Sequence, residues 1–79
     1  MSEGIKDKAL RYRNLSNDET FKEIIEKVAQ RQIDVFLSRD SSEQEIDNAR
    51  KVVLALKQIE NEIQTVFDAE AVFDKKHNL

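Results

Sequence analysis

From Ser42 to Phe73 the apolar residues return at alternating intervals of three and four. They are Ala49, Val52, Leu56, Ile59, Ile63, Val66 and Phe73, broken only by Glu70 where the next apolar residue is due. This spacing gathers them on one side of an α-helix, whereas a strand with its period of two would scatter them over both faces. Nothing else in the chain is long enough to cover such a helix. The chain must lay its shorter segments along it, pair it with a copy of itself, or bring it to a partner.

Size narrows the options. Seventy-nine residues make a single domain, and a core of that size is marginal without a staple or oligomerisation. There is no Cys, so no disulfide and no thiolate metal site can supply the staple. The absence of Pro and the single Gly are the composition of a helical chain with few turns. Charged residues of both signs make up 37%, and the net charge is only −3. That balance reads as solvated helix faces rather than a strongly basic nucleic-acid binder. No run approaches the ~18 apolar residues of a membrane span. The opening residues Met1 to Asp7 carry no apolar stretch of the kind a secretory signal needs. The expected setting is therefore cytoplasmic, with no membrane partner.

The expected fold is all-α: an antiparallel helical hairpin of two long helices with a short N-terminal helix, forming one domain over residues 1–79. Residues 1–16 read as the short helix and a linker. Ile5, Ala9 and Tyr12 share one face, Leu10 lies beside them, and Asn14-Leu15-Ser16-Asn17 is the break. Ser16 with Glu19 has capping-box spacing, so the first long helix is expected over 17–39. Its apolar residues, among them Phe21, Ile25 and Val28, cover a broad arc that calls for more than one neighbouring helix. Ser42 with Glu45 is a second capping box, with Ser41 and Gln44 as a frame-shifted rival. It opens a long helix over 42–75, with Val53, Ala55 and Phe67 flanking its main stripe. Lys75 and Lys76 sit at its end, and His77 to Leu79 read as a frayed tail. At 1.5 Å per residue the second long helix outruns the first by about 12 residues. Its overhang, with Val66, Phe67, Val72 and Phe73, should be covered by Ile5, Ala9, Leu10 and Tyr12 or by a second chain.

Little in the sequence points to catalysis, and no enzyme activity or cofactor is expected. His77 is the one His, and it lies near the chain end without an evident partner base or nucleophile. No Glu-x-x-His motif of a carboxylate metal site occurs, and Glu60 and Glu70 read as rim charges. With one Gly there is no phosphate loop. Lys6, Lys8, Arg11 and Arg13, with Tyr12 among them, form a small basic strip off the Ile5–Ala9–Tyr12 face. Such a strip can bind phosphate, but ordinary surface charge is the favoured account of it, and no helix-turn-helix accompanies it.

Two strings give a family resemblance. Leu15-Ser16-Asn17-Asp18-Glu19-Thr20-Phe21-Lys22-Glu23 and the later Ala49-Arg50-Lys51-Val52-Val53-Leu54-Ala55-Leu56-Lys57-Gln58-Ile59 resemble small helical proteins encoded near the capsid and portal genes of tailed bacteriophages. The pattern covers roughly residues 9–76. The resemblance implies a non-catalytic, virion-associated or packaging-locus protein, and it assigns no functional residues.

The sequence thus points to a helical interaction or assembly protein, a homo-oligomer or the companion of a larger protein. Its candidate contact residues are Phe21, Ile25, Val28, Leu56, Ile59, Ile63, Val66, Phe67 and Phe73. The alternative is a small DNA-packaging or regulatory protein that uses Lys6, Lys8, Arg11 and Arg13.

Overall fold

The computed structural model describes residues 3–77. Residues 1 and 2, and the Asn78-Leu79 end of the expected frayed tail, lie outside that range. The chain is all-α: α1 Ile5–Asn17, α2 Glu19–Leu37 and α3 Glu43–His77, with no strand among the described residues.

The break between α1 and α2 is a single residue, not the expected linker. Asn14 to Asn17 are helical, and only Asp18 is extended, at φ −67° and ψ 123°. Its backbone N–H donates to the Leu15 carbonyl at 3.1 Å and so closes α1. Its carboxylate accepts from the Phe21 N–H at 2.8 Å and so opens α2. The cap is Asp18 where the spacing had suggested Ser16. An anionic acceptor at a helix N-terminus satisfies an orphan amide and also meets the positive end of the helix dipole, which a neutral hydroxyl does less well. Ser16 is left inside α1 with its Oγ buried and without a hydrogen-bond partner.

At the other end the capping box forms as spaced. The Glu45 N–H donates to Ser42 Oγ, and the Ser42 N–H donates to Glu45 Oε1, both at 3.1 Å. The rival Ser41 instead donates from its Oγ to the Val35 carbonyl at 2.7 Å, which ties the connection back onto α2. The turn needs no glycine, because no described residue has a positive φ. α3 runs unbroken past Asp68 to His77. His77 is its last residue, stacked on Phe73 at 4.1 Å with Nδ1 2.8 Å from the Phe73 carbonyl oxygen, and is not frayed.

α1 lies against the C-terminal part of α3, and α2 against its N-terminal half. The result is a rod of 58 × 24 × 22 Å whose radius of gyration is 17.3 Å. A compact chain of this length would have a radius near 12 Å. The long axis follows from the length of α3, since 35 residues rise about 52 Å.

A rod two helices wide has little interior. Among the described residues only Ala9, Ala49 and Val66 are buried, at 0, 2 and 7% exposure. Two of them are alanines, so the helices approach closely there but bury little apolar area. α1 does cover part of the overhang: Ala9 is sealed, Ile5 and Tyr12 are half-buried, and Val66 is buried. Leu10 does not join them. It is exposed, because it sits 100° further round the helix than Ala9. Val72 and Phe73 also stay exposed, although the periodicity had placed Phe73 on the covered stripe.

Candidate interaction surface

Half-burial is the common state of the expected contact residues. Phe21, Ile25 and Val28 on α2, and Leu56, Ile63 and Phe67 on α3, are each partly covered. Leu56 and Ile63 are not the sealed centre that the stripe suggests. Ile59 is 43% exposed, and Phe73 is exposed as well. The reason is width: one facing helix covers only part of an apolar arc, and the rest meets water. Large exposed apolar side chains therefore occur on all three helices, including Leu15, Ile24, Ile33, Phe36, Leu54 and Val72, with Leu37 reaching 77%.

Two grooves border the α3 surface on opposite flanks. The larger, about 880 Å³ and open to solvent, lies where α1 ends and α2 begins. Tyr12, Leu15 and Phe21 form one wall, and Ala55, Ile59 and Ile63 the other, with Gln58, Asn61 and Glu62 at the edge. The smaller, about 250 Å³, is bounded by Ala29 and Ile33 on α2 and by Val53, Leu56, Lys57 and Glu60 on α3. Gln58 and Lys57 are neighbours in sequence, yet they border different grooves, because 100° of rotation separates them. The larger groove was not legible beforehand. It depends on Asp18 ending one helix and starting the next within a single residue.

The basic strip is not free. Lys6 Nζ lies 3.3 Å from Glu70 Oε2 and 2.6 Å from Asp74 Oδ1. Arg13 Nη2 donates to Glu70 Oε1 at 2.7 Å, and its guanidinium lies 5.6 Å from the centre of the Phe67 ring. Arg11 forms a two-pronged contact with Glu3, 2.6 Å on each arm. Lys8 lies 5.7 Å from the Tyr12 ring centre. The hydrogen bond from Arg11 holds the Glu3 carboxyl below its ordinary value and raises the guanidinium in turn. The Asp74 carboxylate, and after it Glu70, raises the Lys6 ammonium. Three of the four cations thus meet acids of the same chain.

Glu70, the break in the stripe, is the residue of this surface whose pairing periodicity alone did not foresee. It is no rim charge: its side chain is only 14% exposed and binds both Lys6 and Arg13. The signal was its position, an acid seven residues beyond Ile63 on the stripe and facing a segment rich in cations. Among the described residues no group of three or more His, Cys, Asp or Glu is placed to hold a metal ion. No helix among them is long and apolar enough to cross a membrane. No family model matches the chain, and neither curated proteins nor solved structures give a match.

Proposed function

We propose that this chain is a non-enzymatic assembly module, an antiparallel helical hairpin whose first arm is broken at Asp18 and whose apolar faces are completed by another protein chain. The direction of the pairings supports the hairpin. Lys6 meets Asp74, Arg13 meets Glu70, Phe21 shares a groove with Ile59 and Ile63, and Ile33 shares one with Val53. Numbers rise along the first arm as they fall along α3. The observation that carries the assembly reading is the unfinished core: among the described residues no large side chain is fully buried. The reading rests on apolar burial, so it assigns no catalytic residue and no cofactor. A role among the structural or packaging proteins of a tailed phage rests on the two sequence strings alone.

Hydrogen exchange of the dilute chain, followed by mass spectrometry, tests the reading. A module that needs a companion should open at less than about 5 kcal/mol throughout, below the range of self-sufficient domains. Uniform protection well above that in a sample shown to be monomeric would show that the chain is complete alone and would end the assembly reading.

The nucleic-acid alternative is disfavoured by the pairing of Lys6, Arg11 and Arg13 with Glu70, Asp74 and Glu3. Its test is salt dependence: each phosphate neutralised on duplex DNA contributes a slope of about −0.9 in log K against log salt. Fluorescence anisotropy with a DNA duplex should detect no binding with a multi-phosphate slope. A steep slope that is lost on replacing Lys6, Lys8, Arg11 and Arg13 together would reverse the preference.

A further inference from the structure

We infer that the larger groove is the seat of a second copy of this chain, joined to the first across a two-fold axis near Ile59. The inference rests on the assembly reading and names its occupant. Three observations on the groove and the rod carry it.

The first is area. The chain exposes 6645 Å². A compact protein of 9.2 kDa exposes about 4,900 Å², so the rod carries roughly 1,700 Å² more than a chain of its mass needs to show. A standard interface removes about 800 Å² from each partner. One copy laid along the rod would account for about half of the excess, which a short peptide or a small ligand would not.

The second is position. α3 spans Glu43 to His77, and the groove wall from Ala55 to Ile63 lies at its middle. A two-fold axis through the middle of a rod superposes the two copies along their full length, whereas an axis near one end would overlap only the tips. An isologous contact is self-complementary, with each residue meeting its counterpart across the axis. Here Ala55 would face Ile63 of the partner subunit, small against large, and Ile59 would meet its own equivalent. The four-helix cross-section that results is the usual way in which two helical hairpins bury faces wider than one neighbour can cover.

The third is charge. No Lys or Arg borders the groove, and Glu62 is its single charged residue. An anionic polymer finds nothing there to bind. A copy of the chain brings the same apolar wall and the same neutral Gln58 and Asn61.

The chain has no Cys, so single introduced cysteines report which flank of α3 lies on the axis. Gln58→Cys lines the larger groove and Lys57→Cys the smaller. Both are exposed, and neither change removes apolar contact from the fold. A disulfide needs Cβ atoms about 3.5–4.5 Å apart, a demand that only a site close to the axis meets. The full chain is oxidised at several concentrations, and sedimentation equilibrium on the unmodified protein gives the stoichiometry. The expected result is a reversible dimer, a covalent dimer from Gln58→Cys, and none from Lys57→Cys. Ile59→Glu should weaken the dimer roughly tenfold or more. Cross-linking through Lys57→Cys instead, or through both equally, would overturn the groove assignment while leaving self-association standing. A monomer up to millimolar concentration would overturn the second copy altogether. Weak hydrogen-exchange protection in that same monomer would leave the broader assembly reading intact, and strong protection would remove it too.

Discussion

Arg13 Nη2 lies 2.7 Å from Glu70 Oε1 and joins the last turn of α1 to the one acidic position in the stripe of α3. Lys6 reaches the other oxygen of the same carboxylate at 3.3 Å, and Asp74 one turn further on. An apolar residue at position 70 would also have packed against α1. The carboxylate does something an apolar residue cannot: it gives α1 one register, because only one placement brings both cations to it.

That argument predicts opposite effects for two properties. Glu70→Leu should leave stability unchanged or raise it. Replacing a partly buried ion cluster by a packed apolar residue is often neutral or favourable, and the half-exposed cations regain water. The same change should loosen the placement of α1. Urea titration reads the first effect. Distances from spin labels on α1 and α3 read the second, and a single sharp distance in Glu70→Leu would show that the register is set elsewhere.

The single-residue break sets up a contrast between Ser16 and Asp18. Were Ser16 the cap, its replacement by Ala would destabilise by ~1 kcal/mol. In the structure Ser16 is a helix-interior residue with an unpaired buried hydroxyl. Ser16→Ala should therefore stabilise by about 0.5–1 kcal/mol, since Ala is the better helix former and leaves no unmet donor. Asp18→Ala should cost ~1 kcal/mol through loss of the bond from the Phe21 N–H. Thermal melts of the two variants, followed by circular dichroism, should move in opposite directions.

Leu56 stands at the centre of the stripe but is only partly covered. Leu56→Ala should cost about 1–3 kcal/mol in the dilute chain, below the range for sealed leucines. Chemical denaturation at low and high protein concentration checks it. An unchanged midpoint at both concentrations would mean that the stripe of α3 contributes nothing to folding.

The Glu3–Arg11 contact predicts a pH dependence of defined sign. Glu3 is held below its ordinary value of 4.5 in the folded chain. Its contribution to the start of α1 is therefore present above that value and fades as the pH falls through the lowered one. Lys6 runs the other way: raised above 10.5, it holds Asp74 at lower pH and lets go as the pH rises through the raised value. Carbon-13 titration of the Glu3 carboxyl should give a midpoint below 4.5 that returns to normal in Arg11→Met. A normal midpoint in the unmodified chain would mean that the contact does not persist in solution.

Periodicity and capping spacing were enough to determine that the chain is helical, where α2 and α3 lie to within a residue or two at most of their ends, and that Ser42 with Glu45 opens the long helix. These are local properties, written in 3.6-residue spacing and in side chains that reach amides three residues away. The choice of Asp18 over Ser16 was local too, an anionic acceptor meeting the positive end of the helix, but the capping-box spacing of Ser16 with Glu19 pointed two residues too early. Only the tertiary structure decided that Glu70 anchors α1, that Leu10 and Phe73 stay outside, that three of four cations find acids in the same chain, and that a groove opens beside Ile59. Apart from the local Arg11–Glu3 contact, each depends on residues far apart in sequence meeting on a rod two helices wide, where rotation about the helix axis and the limited width of one neighbour determine which apolar side chains are covered.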